Sequence, residues 1–187
     1  MLIAQEKLET NIAEHILYMY QIEDVIRAYH FDIELITEQF ITPQVPSQSI
    51  RNQYINWYKD LIREMKIEGI EKQGHLNRLK EIYYELSYLH NTLLTVSEDA
   101  KYISLFEDAK AYIEEFRKKS NLGGIHEVEI AFHALYMKLL LKLQKKEVSA
   151  ESEKAFDSMR ILLAYLSRAY HQMKSGDMEL LNPKKKN

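Results

Sequence analysis

The run SAESEKAFDSMRILLAYLSRAYHQMKSG, residues 149–176, decides the fold class. Its apolar residues Phe156, Met159, Leu163, Leu166, Tyr170 and Met173 recur in alternating steps of three and four. That period places them on one stripe of an α-helix and gives the seam of a coiled-coil-like antiparallel packing. Ser149 stands where its hydroxyl caps the first turn, and Gly176 stands where the chain leaves the helix. A single amphipathic helix draws most of its stability from packing its stripe against others, so the neighbouring segments should share the period.

They do. Immediately upstream, IHEVEIAFHALYMKLLLKLQKK at residues 125–146 sets Val128, Ile130, Phe132, Leu135, Met137, Leu139, Leu140, Leu141 and Leu143 around most of a helical circumference. This is the pattern of a central helix enclosed by the rest. Gly123 and Gly124 separate it from a helix with Tyr102, Leu105, Ala109, Ile113 and Phe116 on one stripe. Thr95 or Ser97 can cap that helix, and Arg117, Lys118 and Lys119 close it at the negative end of its dipole. Further back lie a stripe of Leu79, Ile82, Leu86, His90 and Leu93, and another of Ile50, Tyr54, Trp57, Leu61 and Met65, which follows Ser47 and ends near Gly69.

Thr42-Pro43-Gln44-Val45-Pro46 reads as a linker, because each proline lacks an N–H and disfavours helix in the residue before it. A short helix over residues 31–41 precedes it. The first helix spans residues 2–29, with Ile12, Ile16, Met19, Ile22, Ile26 and Tyr29 inward and Glu23 and Arg27 as an outward pair one turn apart. The expected architecture is an all-α, single-domain bundle of about six long helices plus one short helix over residues 1–175. Residues 176–187 form a C-terminal tail, expected to be mobile.

Composition removes whole classes of function. Of 187 residues, 46% are hydrophobic and 28% charged, which suits a globular chain, and only 5 Gly and 3 Pro leave few places for tight turns. A net charge of −3 provides no broad positive field for phosphates, so nucleic acid is not an expected partner. The chain has no cysteine, so disulfides, thiolate metal sites and a cysteine nucleophile are excluded. Gln5, Glu6 and Lys7 interrupt any amino-terminal apolar stretch, and Lys138 and Lys142 interrupt the most apolar run. Neither a signal peptide nor a membrane span is expected, and the protein should be cytoplasmic.

Two polar faces are not accounted for by core packing. His126, Glu129 and His133 share one face of the central helix, continued by Tyr136, and could offer two imidazoles and a carboxylate to a divalent metal. The spacing lacks the second histidine of a zincin helix, and no Glu-x-x-His pair occurs. On the first helix Glu14, Tyr18 and Gln21, flanked by Asp24, form a polar stripe that could line a pocket between helices. Histidine 90 lies on an apolar stripe and should point inward to one hydrogen-bond partner, whereas Glu81 and Glu85 read as a solvated face. No Gly-rich phosphate loop or G-x-S-x-G elbow is present.

The opening IAQEK, followed by NIAEHILYMYQIEDVIRAY from Asn11 to Tyr29, resembles an uncharacterised family of Bacteroidetes proteins carrying a domain of unknown function, family 4924. The resemblance implies a cytosolic all-α chain of similar length. It implies no activity, and it carries no catalytic motif onto Glu14, Tyr18, Gln21, Glu23, Asp24 or Arg27.

The residues favour a non-enzymatic bundle acting through contacts with another protein or with itself as a homodimer, with no catalytic residue and no cofactor assigned. The alternative is a small-molecule or metal-binding protein, or an enzyme, with its site between the first and central helices.

Overall fold

A computed structural model describes residues 2–176. The expected mobility of the tail beyond Gly176 falls outside the described residues. Helices α1 (Ile3–Thr10), α2 (Ile12–Ala28) and α3 (Ile33–Leu35) lead into a π-helical turn (Ile36–Ile41) and α4 (Thr42–Gln44). Five long helices follow: α5 (Gln48–Ile67), α6 (Asn77–Thr95), α7 (Ala100–Lys119), α8 (Glu127–Leu143) and α9 (Ala150–Ser175). The chain is an all-α bundle. Among the described residues no helix is long and apolar enough to cross a membrane.

α9 is built as its period predicts. The Ser149 hydroxyl accepts from Ser152 N–H, Gly176 ends the helix at φ 78°, and Phe156, Met159, Leu163, Leu166 and Tyr170 are buried. It lies along α7 and α8 and also meets α2 and α6. This makes it the strut on which α2, α6, α7 and α8 converge.

The first helix is not continuous. At Asn11 the backbone extends to φ −156° and ψ 93°, and the Asn11 side chain accepts from Glu14 N–H to cap α2. The break lets α9 satisfy the donors of the new first turn. His171 Nε2 accepts from Ile12 N–H at 2.9 Å and Ser167 Oγ from Ala13 N–H at 3.3 Å. The expected linker at 42–46 is likewise shorter than read, because the helix runs to Gln44. Pro43 sits in the first turn of α4, where a missing N–H costs little.

α8 departs most from expectation. Its amino-terminal half is enclosed, with Val128, Ile130, Ala131, Phe132 and Ala134 buried, but its second half is only partly covered. There Met137 is 44% exposed and Leu143 65%. The apolar circumference therefore reflects burial at one end and a partly covered surface at the other. In α5 the buried face is Tyr58, Leu61, Ile62 and Met65, rotated from the expected stripe, and Ile50 lies out in solvent.

The end of α8 supplies a first prediction. Lys145 is exposed and held at φ 55°, a left-handed conformation that favours glycine after a helix cap. Lys145→Gly should therefore raise stability by about 0.5–1 kcal/mol, offset in part by the greater freedom of glycine in the unfolded chain. A melting temperature that falls would show that the lysine side chain contributes something the backbone does not.

Candidate functional site

α2, the π-helical turn, α5 and the second half of α8 leave a cleft of about 540 Å³ between them. Its walls are mostly apolar, with Ile22 and Val25 from α2, Phe40 and Ile41 from the π turn, and Leu140 and Leu143 from α8. Mostly apolar walls with a few placed polar groups, at this volume, are typical of small-molecule sites. The π turn has local cause to be here. Its wider register sets Ile41 into the core and Phe40 against the edge of the Tyr58 ring, with centroids 6.3 Å apart.

The polar groups are few and distinct. Tyr58 is 1% exposed and lines the cleft, and its hydroxyl has no hydrogen-bond partner among the described residues. Burial pushes its phenol far above the ordinary range, so it stays a neutral donor and acceptor. Tyr18, stacked on Trp57 with centroids 6.4 Å apart, is pushed up to about 12 by burial and by Tyr54. On the opposite wall Tyr136 donates to Asp24 Oδ2 at 2.5 Å, while Arg27 Nη1 donates to Asp24 Oδ1 at 3.0 Å. Both carboxylate oxygens are thus engaged. Burial and the Asp24 carboxylate together hold the Tyr136 hydroxyl protonated.

Of the polar stripe expected on the first helix, Tyr18, Gln21 and Asp24 meet in this cleft. Glu14 does not line it. It lies exposed, paired with Lys7 and accepting from Asn11 Nδ2. The stripe expected on α5 uses Tyr54 and Trp57 and so passes over Tyr58. The signal was the Tyr58-Leu61-Ile62-Met65 spacing, equally helical and equally apolar.

The histidine face of α8 is divided rather than gathered. His126 is the residue that caps α8, its Nδ1 accepting from Val128 N–H at 3.2 Å, and its ring stands perpendicular to that of His90. Glu129 and His133 instead form a pair at 3.6 Å, and His133 faces Tyr20 and His75. The one group of three potential metal ligands found close together among the described residues is His90, His126 and Glu127. Of the three, only His126 is marked as a ligand by spacing along the chain.

Glu23 overturns its assigned place outright. It is fully buried and makes no pair with Arg27. Glu23 Oε2 lies 2.6 Å from His75 Nδ1, and Oε1 accepts from Leu76 N–H at 3.0 Å. Tyr20 stacks on His75 with centroids 3.5 Å apart, and its hydroxyl lies 2.7 Å from that of Tyr83. Arg27 turns to Asp24 and to the carbonyls of Ile70 and Gly74, so α2 holds the 68–76 connection through two charged side chains.

Comparison with known proteins gives one finding. A family model described as "Domain of unknown function (DUF4924)" matches residues 1–177. No curated protein and no solved structure matches the chain.

Proposed function

We propose that this chain, which belongs to the domain-of-unknown-function family DUF4924, binds a small and largely apolar molecule in the cleft between α2, α5 and α8. The observation that carries this is the Tyr58 hydroxyl. A buried hydroxyl without a partner costs roughly 1–3 kcal/mol, and such groups persist where a ligand or water supplies the missing bond. Apolar walls provide the driving force, Tyr58 the fixed polar contact, and the Tyr136–Asp24–Arg27 chain a rigid polar edge that fixes orientation. The reading is of a binding protein, in the cytoplasm, rather than of an enzyme.

Tyr58→Phe tests it because two effects take opposite signs. Without ligand the variant should be more stable by about 1–2 kcal/mol, since the unpaired hydroxyl is gone. Its affinity for the neutral fluorescent probe N-phenyl-naphthylamine, whose amine can bond to Tyr58, should fall by roughly 2- to 10-fold. Ala28→Trp, at the exposed rim of the cleft, should obstruct the probe without unfolding the chain. If the probe does not bind, or binds equally well to Ala28→Trp, the cleft is not a ligand site.

A second reading, contact with another protein or a second copy of the chain, is favoured by the uncovered end of α8. Met137 and Leu143 offer apolar surface there, and Leu143 also lines the cleft. Sedimentation velocity giving a monomer at every concentration would remove the self-association form.

A further inference from the structure

We propose that His90, His126 and Glu127 bind one divalent transition-metal ion of the Zn²⁺ class, at the junction of α6 with the amino terminus of α8. One ligand atom from each residue lies within 4.8 Å of the others, and His90 Nε2 stands 3.2 Å from Glu127 Oε1. Ligands about 2.0–2.2 Å from a tetrahedral ion are themselves roughly 3.3–3.5 Å apart, so the imidazole and carboxylate of this pair are already at that separation. Two imidazoles and one carboxylate select a borderline ion over Ca²⁺ or Mg²⁺, which prefer oxygen, and leave a fourth position for solvent.

The surroundings of the three groups fit. His90 is fully buried, and its Nδ1 lies 2.7 Å from the Tyr102 hydroxyl. Without an ion, His90 Nε2–H donates to the Glu127 carboxylate and Nδ1 accepts from Tyr102; ligation at Nε2 moves the ring proton to Nδ1, where the Tyr102 hydroxyl, which can donate or accept, accepts the Nδ1–H hydrogen bond and holds the ring. Burial, with a lesser contribution from His126, holds the His90 imidazole in its neutral form, the form that ligates. Arg117 Nη2, 3.9 Å from Glu127 Oε2, engages the far oxygen and leaves Oε1 toward the imidazoles. The positive end of the α8 dipole and Arg117 both act against a cation, and the burial of His90 limits how far competing water can weaken the site.

Loading has one structural consequence. While His126 Nδ1 accepts from Val128 N–H, the proton of the neutral ring sits on Nε2. Binding at Nδ1 displaces that hydrogen bond, and binding at Nε2 requires the proton to move to Nδ1. Either way the Val128 amide loses its partner. Metal binding and capping of α8 are therefore alternatives.

The test is Zn²⁺ titrated calorimetrically into the full chain after chelator treatment, near neutral pH. The expected result is one equivalent bound, with affinity reduced at least tenfold in each of His126→Asn and Glu127→Gln. The asparagine keeps an acceptor for Val128 N–H, and so preserves the cap while removing the imidazole. Tyr102→Phe should weaken binding by roughly 10- to 100-fold as an outer-sphere partner. The Val128 amide resonance should shift on loading, and His133→Ala should bind as the unaltered chain does. No binding, affinity unchanged in both His126→Asn and Glu127→Gln, or loss in His133→Ala would each overturn the proposal.

Discussion

Glu23→Ala is expected to destabilise the bundle by about 3–5 kcal/mol, the cost of breaking a buried hydrogen-bonded pair from one side. The carboxylate has no solvent contact and makes two hydrogen bonds, a short one to His75 Nδ1 and one of ordinary length to Leu76 N–H. Removing it leaves the Leu76 amide unsatisfied beside the start of α6, strands His75 against Tyr20, and opens a cavity among residues that cannot all close in. Glu23→Gln should cost less, about 1–3 kcal/mol, because the amide oxygen still accepts from Leu76 N–H. Glu14→Ala, about two and a half turns away on the exposed face of the same helix, should change stability by no more than about 0.5 kcal/mol. Urea midpoints at unchanged slope measure all three. A Glu23→Ala variant as mild as Glu14→Ala would mean that the 68–76 connection is not held by this carboxylate.

The contrast between these two glutamates also shows what the residues alone could reveal. Helical period named nearly every long helix, because Phe156 to Met173 or Leu79 to Leu93 have only one way to bury a common stripe. Period does not report what lies opposite. Glu23 is four residues after Met19 and three before Ile26, on the same stripe, yet an arginine one turn on made an external pair the simpler reading. Its true partners, His75 and Leu76, lie in a connection about fifty residues away, and no local pattern announces them.

The break at Asn11 was more accessible. Asn11 followed by Glu14 has the spacing of a capping box inside what otherwise reads as one continuous helix, and the cap forms through the Asn11 side chain. The cleft was half visible. Tyr18, Gln21 and Asp24 were identifiable as a polar stripe that core packing does not explain, and Tyr136 as an extension of the α8 face. Their meeting depends on how α2 and α8 cross and on where the second half of α8 stops being covered. Those are tertiary facts. The three α8 residues placed together by spacing are separated because His126 belongs to the cap rather than to the helix proper, where its backbone is extended at ψ 144°.

Acid should begin to destabilise this protein through His90 before most of its carboxylates titrate. Burial, with a lesser contribution from His126, pushes the His90 imidazole down to about 4, against the opposing pull of Glu127. The unfolded chain holds the same group near its ordinary value of about 6.5. Between these two values the unfolded state takes up a proton that the folded state refuses, so stability is full above about pH 6.5 and is lost as pH falls toward 4. The gap between about 4 and about 6.5 corresponds to roughly 3 kcal/mol, a large part of the stability of a domain this size.

His15 and His171 are also held low by burial and act in the same direction, so the wild-type slope alone does not identify His90. The difference between the wild type and a variant does. His90→Gln cannot titrate in this range and retains groups that can meet Tyr102 and Glu127. In chelator-treated protein its denaturant midpoint should fall less between about pH 7 and pH 5 than that of the wild type. Glu127 faces His90 from α8 and raises its pKa, so Glu127→Gln should leave the acid loss in the same window or deepen it. Equal slopes in the wild type and His90→Gln would show that the buried imidazole carries no pH dependence, and that His15 and His171 account for the acid sensitivity instead.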